Sequence, residues 1–244
     1  MSGTVSAKER LRRIPGYTST VETMKSVPFH ATRLRRGGRI DAYLAEHSVR
    51  KLHLGAGYNV IDGWLNTDVD DHGRRGELVY LDARRRFPLP DDCMDVVFTE
   101  HMVEHLSYSD GLHCLRECRR VLKPEGRLRI ATPSLDRLVR LWDRDQDEIS
   151  LRYVRWSVDT FVHDADAYLP AFVLNNFMRD WGHRFVYDQR TLAHALETAG
   201  FVDVVKRPVG ESDDARLAGL EQHGRLIPPE FNAFETLVLE ARRP

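Results

Sequence analysis

From residue 49 onward, short apolar runs alternate with stretches of helical period. Residues 51–54 (KLHL) read as a short strand ending on Gly55-Ala56-Gly57, and 64–69 and 78–81 as the next two strands. Residues 94–99 (MDVVFT) are almost continuously apolar, as a central parallel strand buried on both faces should be. Over 109–122, Leu112, Leu115, Cys118, Val121 and Leu122 share one helical face. Lys123-Pro124-Glu125-Gly126 then reads as a turn, and 127–131 as a strand closed by Thr132-Pro133. Residues 188–199 predict a helix capped by Asp188 and stopped by Gly200. Residues 201–205 and 234–241 predict two final strands. No helical segment is read between them, so they form an antiparallel hairpin at the sheet edge with a long irregular connection. Strands alternating with helices predict a doubly wound α/β domain.

Two segments fall outside this rhythm. Residues 1–48 read as a basic N-terminal arm. Lys8, Arg10, Arg12, Arg13, Lys25, Arg33, Arg35, Arg36, Arg39 and, just beyond, Arg50 outnumber Glu9, Glu22, Asp41 and Glu46. Pro15, Gly16, Pro28 and the Gly37-Gly38 pair interrupt any long helix there, and a short one is expected over 41–47. Residues 49–244 form the second unit, with a cap inserted at about 140–187. Into its 151–187 stretch crowd Tyr153, Trp156, Phe161, Tyr168, Phe172, Phe177, Trp181, Phe185 and Tyr187. Such an insertion can overhang the carboxyl ends of the strands and line a substrate pocket.

Composition narrows the class. With 36 Lys+Arg against 37 Asp+Glu, the net charge of −1 excludes a generic nucleic-acid coat. No apolar run approaches the roughly 20 residues that span a bilayer. The first 30 residues show no signal-peptide block, so a cytoplasmic protein is expected. Three cysteines argue against a disulfide framework, and no short-spaced ligand set predicts a metal.

The chemistry gathers at strand ends. Glycines in His53-Leu54-Gly55-Ala56-Gly57 allow a tight turn and close approach to a ligand. A dinucleotide fingerprint would need glycine where Val60 stands, which disfavours an NAD-linked oxidoreductase. Asp68, ending the second strand, is placed to accept from ribose hydroxyls. Its closeness to Gly57 leaves room for a turn or so of crossover helix. Asp82, after the third strand, is placed to accept from an adenine amine, with Ala83 leaving space for the ring. Glu100 and His101 end the fourth strand beside the crevice, and Glu104 and His105 follow one helical turn later.

These segments resemble the class I S-adenosylmethionine-dependent methyltransferases, of the type 11 kind. HLGAG, NTD, LDA and MDVVFTEHMVEHL are similar to that family's successive motifs, and LRECRRVLKPEGRLRIATP to its helix, turn and fifth strand. The short first crossover and WGHRFVY resemble a bacterial subgroup associated with polysaccharide and glycoconjugate synthesis. The resemblance implies a Rossmann-like, seven-stranded sheet with the last strand antiparallel. It implies S-adenosyl-L-methionine over Leu54, Gly55, Ala56 and Gly57, Asp68 on the ribose, and Asp82 and Ala83 at the adenine. Glu100 and His101 would lie near the methionine moiety.

An alcohol acceptor needs a base, and histidine is the usual one. His101 at the crevice and His183 at the end of the cap are the two candidates, with His105 expected to be structural. Tyr168, Trp181, His183 and Arg184 are expected to touch the acceptor, since rings and charged groups together suit a sugar or glycan. A flat aromatic or amine-bearing metabolite fits the same composition. A non-catalytic cofactor-binding paralogue and a homodimer also remain open.

Overall fold

The computed structural model describes residues 32–244 apart from 75, 144 and 146. The arm residues Lys8, Arg10, Arg12, Arg13 and Lys25 lie outside the described residues. Seven strands form one sheet: β1 (Lys51–Leu54), β2 (Leu65–Asp68), β3 (Val79–Tyr80), β4 (Met94–Glu100), β5 (Leu122–Pro133), β6 (Val202–Arg207) and β7 (Thr236–Arg242). Their order is β3-β2-β1-β4-β5-β7-β6. β1 pairs in parallel with β2 and β4, and β4 with β5. β7 runs antiparallel to both neighbours, β5 and β6, and with β6 forms the antiparallel pair expected at the sheet edge. β1 and β4 hold the centre because Leu52, Leu54, Val96, Val97 and Phe98 are all fully buried.

The helices are α1 (Arg36–Glu46), α2 (Tyr108–Val121), α3 (Leu135–Arg140), α4 (Glu148–Phe161), α5 (Pro170–Arg179), α6 (Gln189–Thr198) and α7 (Pro229–Glu235). The main apolar cluster joins Leu52, Leu54 and Val97 to Ile40 and Tyr43 of α1, Leu115 of α2 and Leu192 of α6. A smaller cluster joins Trp64, Val96 and Phe98 to Leu217 and Leu220. β1 and β2 are joined by turns with no helix, where a crossover helix of a turn or so was expected; eleven residues from Gly57 to Asp68 leave no room for it. No described helix is long and apolar enough to cross a membrane.

Three local expectations need correction. α1 starts at Arg36 and runs through Gly37-Gly38. Arg39 donates to the carbonyls of Leu78 and Gly76, and Tyr43 and Ile40 are buried, so tertiary contacts outweigh two weak helix formers. The last part of the basic arm is thus packed on the sheet. β5 begins at Leu122, because Met94 pairs with Leu122 before the register shifts to Val96 with Arg127. The predicted turn lies inside that strand as an irregularity. Finally, α7 stands between β6 and β7, where an irregular connection was expected.

The cap has its own core. Leu138 and Leu141, Tyr153, Val154 and Val158 of α4, and Val173 and Phe177 of α5 pack on Phe231 and Phe234 of α7.

Candidate active site

Two cavities meet at the carboxyl ends of the parallel strands. The first, about 450 Å³, is lined by Leu54, Gly55, Gly57, Asp68, Asp82, Ala83, His101, Met102, His105 and Leu106, among others. Gly57 has φ +50°, and no heavy atom lies within 4 Å of where a Cβ would stand. The backbone there is open to a ligand. Gly55 is constrained differently: at φ +64°, an added Cβ would overlap the Met102 side chain. Asp68 accepts from the Gly57 amide at 2.9 Å and from the Val69 and Asp70 amides. Burial would raise its carboxyl, but the bonds from His72, Gly57 and Asp70 hold it below the usual range. It is an ionised acceptor with the glycine turn fastened to it.

Two expected cofactor contacts, Ala56 and Glu100, differ from the sequence reading, and a third, Asp82, is in place but already paired. The Ala56 side chain is buried with Leu78 and Tyr80, away from the cleft. Asp82 lines the cleft, but Arg84 grips its carboxylate with Nε at 2.8 Å and Nη2 at 3.0 Å. A ligand amine would share Asp82 with that guanidinium. Glu100 does not line the cleft. Its carboxylate accepts from the backbone amides of Gln222 and His223 and from Asn59 Nδ2, so it clamps the segment before α7 onto β4.

The second cavity, about 390 Å³, lies under the cap. Trp156, Phe161, Phe177, Trp181, Pro133, Leu226, Ile227 and Pro228 supply its apolar wall. His101, Glu104, His105, His183, His223 and Glu235 supply its polar groups. His101 and His105 line both cavities. His105, read as structural, therefore faces the junction. Of the expected acceptor contacts, Trp181 and His183 are brought in. Tyr168 is not: it is exposed, and its hydroxyl donates to Asp159 at 2.9 Å. The Arg184 side chain is exposed and lines neither cavity, while its amide donates to the Glu104 carbonyl at 2.7 Å.

The junction is built on strained and buried groups. His101 adopts φ +47°, a conformation that costs a non-glycine residue energy and clusters at functional sites. Its Nδ1 lies 3.2 Å from Oε1 of Glu104, whose side chain is fully buried. Glu104 Oε2 accepts from Thr132 Oγ1 at 3.1 Å. Burial would lower the His101 imidazole, but Glu104 and, farther off, Glu235 and Glu100 hold it above its ordinary value. Burial likewise would raise the Glu104 carboxyl, and His101 holds it below the usual range. His183 Nδ1 lies 2.8 Å from the Phe177 carbonyl, and burial lowers its pKa. The His101 and His223 rings stand 3.9 Å apart.

Residues 38–130 match the family model described as a methyltransferase domain. This stretch is similar to methyltransferase domains. A ubiquinone/menaquinone biosynthesis C-methyltransferase of Paraburkholderia phymatum is 33% identical over 124 residues, covering 50% of this chain and 44% of that protein. Its counterpart from Caulobacter sp. is 31% identical, covering 48% and 42%. The chain spans less than half the length of these curated relatives. Among solved structures, an S-adenosylmethionine-dependent methyltransferase from Mesorhizobium loti superposes with TM-score 0.49 at 16% identity, covering 83% of this chain and 96% of that one. The open glycine turn, the ionised Asp68 and the small Ala83 suit the cofactor of such a domain.

The sequence reading missed Glu104, His223 and Glu235 as site residues. Glu104 and His105 repeat the Glu-His pair of Glu100 and His101 four residues on, a spacing that signals one helical face. His223 and Glu235 come from more than 100 residues away and carry no local signal.

Proposed function

We propose that this chain transfers the methyl group of S-adenosylmethionine to a hydroxyl of a small cyclic acceptor held under the cap, with His101 as the base. One observation carries the reading: His101 lines both the cofactor cleft and the cap cavity, against the buried carboxylate of Glu104. The cofactor, when bound, supplies the electrophilic methyl on its sulfonium. What remains for the chain is to align the acceptor oxygen and remove its proton. Glu104 favours the tautomer with the proton on Nδ1, which leaves Nε2 as the accepting atom. Nε2 has no hydrogen-bond partner.

The wall favours a flat or apolar ring over a sugar. Trp156, Phe161, Phe177 and Trp181 offer faces for stacking, and four of the six polar side chains are already paired as His101–Glu104 and His223–Glu235. A sugar or glycan acceptor, the first expectation from sequence, would have to compete with those pairs for its hydroxyl partners. The Paraburkholderia and Caulobacter relatives are named C-methyltransferases. An activated ring carbon beside a hydroxyl would use the same base, and is the second reading.

The test is a radiolabelled-methyl assay with S-adenosylmethionine against phenols, hydroxyquinones, free sugars and nucleotide sugars. Label should enter the ring compounds, and His101→Ala should lower kcat by roughly 10²–10⁴-fold. Label confined to the sugars would overturn the acceptor class, and label in none of them the whole reading.

A further inference from the structure

Glu104, His105 and His183 converge on the cap cavity. One donor atom from each lies within 4.8 Å of the other two. We propose that they form a binding site for a divalent transition metal of the zinc class, open toward the acceptor. This rests on reading the cap cavity as the acceptor site. Two imidazoles and one carboxylate are a donor set that such ions accept, with a further position left for a water or substrate oxygen.

Three observations single out this trio. Glu104 is fully buried and lines the cavity, and its Oε1 has no partner besides the His101 Nδ1 contact at 3.2 Å. A carboxylate oxygen has two lone pairs, so one contact leaves a second for a cation, which also offsets the cost of the buried charge. Its other oxygen is already fixed by Thr132, which orients the carboxylate. His183 is oriented in the way metal-bound histidines are: Nδ1 faces a backbone carbonyl, that of Phe177, so Nε2 keeps its lone pair. The Arg184 and Phe185 amides both donate to the Glu104 carbonyl, at 2.7 and 3.1 Å, which ties the His183 segment to Glu104. Zinc bonds of about 2.0–2.1 Å place donors roughly 3.3 Å apart, so closure around an ion needs shifts of about 1.5 Å at most.

A second trio, His101, His223 and Glu235, faces the same cavity. Its carboxylate is contacted at both oxygens, as that of Glu104 is: Tyr153 donates to Glu235 Oε2, and His223 Nε2 lies 3.5 Å from Oε1. It is the weaker candidate because His101 Nδ1 faces a carboxylate, whereas His183 Nδ1 is held by a backbone carbonyl. An ion at the first trio would bind the acceptor oxygen and lower its pKa, leaving His101 to take the proton.

The test uses the full chain, freed of any affinity tag and of metal, titrated with Co²⁺ and followed by its visible ligand-field absorption. One Co²⁺ per chain should bind and be displaced by Zn²⁺. His183→Gln and His105→Gln should each weaken binding by at least about tenfold, while His223→Gln leaves the titration unchanged. Thermal melts and S-adenosylhomocysteine calorimetry report whether each variant is folded. Absence of a saturable Co²⁺ spectrum overturns the proposal. So does loss of binding in His223→Gln with retention in His183→Gln. Stoichiometric Co²⁺ without methyl transfer to any ring compound upholds the metal site and removes the acceptor reading. Full methyl transfer by a chain that takes up no Co²⁺ overturns the site and keeps that reading.

Discussion

Oε1 of Glu104 lies 3.2 Å from Nδ1 of His101, where the cofactor cleft and the cap cavity share a wall. Burial alone would lower the imidazole, and the carboxylates around it, Glu104 foremost, raise it above its ordinary value. A base works in its neutral form. The acid limb of kcat/KM should therefore lie above the usual histidine pKa of about 6.5. Glu104→Gln removes the charge that favours the imidazolium, so the limb should move to lower pH. The plateau should also fall, because the tautomer loses its orienting partner. A limb that stays in place in Glu104→Gln would show that the carboxylate does not govern this histidine.

Asp68 fastens the glycine turn and faces the cleft. Asp68→Ala should weaken S-adenosylhomocysteine binding by roughly 1.5–3 kcal/mol, about tenfold or more, through lost charge-assisted bonds. Calorimetry measures this directly. Unchanged affinity in a folded variant would place the ribose elsewhere.

The cap gives a contrast between two aromatic residues. Trp181 lines the cavity, while Tyr168 sits outside it with Asp159 and under the Arg155 guanidinium. Trp181→Ala should raise the acceptor KM with little effect on cofactor affinity. Tyr168→Ala should leave both constants near the parent values. Equal damage from both substitutions would point to cap stability instead of contact.

How much of this was legible in the sequence depended on range. The glycine turn, β4 and the α6 cap are set by neighbours within a few residues. Asp188 does accept from the Thr191 amide, as a cap should. The fate of Glu100 was not local, while that of Asp82 was set two residues away by a rotamer the sequence does not specify. Glu100 is drawn to backbone amides at 222 and 223, and Asp82 is held by Arg84 in a turn, so both carboxylates are engaged. Ala56 faces inward because β3 brings Tyr80 beneath it. α7 did leave a signal: Pro229 at the first helical turn, followed by Phe231 and Phe234 on one face.

Gly55 offers a test of the turn. At φ +64°, alanine would pay roughly 1–2 kcal/mol for its backbone conformation. Its methyl would also press on Met102, which lies between the turn and the cleft. Gly55→Ala should lower the melting temperature and weaken cofactor binding together. Gly57→Ala meets no neighbouring atom, so beyond its own backbone strain its effect should appear chiefly in binding.

His53 links the central strand to acid stability. It is 1% exposed, with Nδ1 3.2 Å from Asn66 Oδ1 and its ring 4.9 Å from that of Phe98. Burial pushes its imidazole from 6.5 down to about 4. Between those values the unfolded chain binds a proton that the folded chain excludes. The contribution is therefore fully present above pH 6.5 and is lost as the pH falls toward 4. At about 1.4 kcal/mol per pH unit, the loss approaches about 3 kcal/mol. Urea unfolding at pH 7 and near pH 4 measures it. His53→Gln should unfold more easily at pH 7, having lost packing on Phe98, but its stability should fall less on acidification. Equal falls in the two chains would assign the acid sensitivity to other groups.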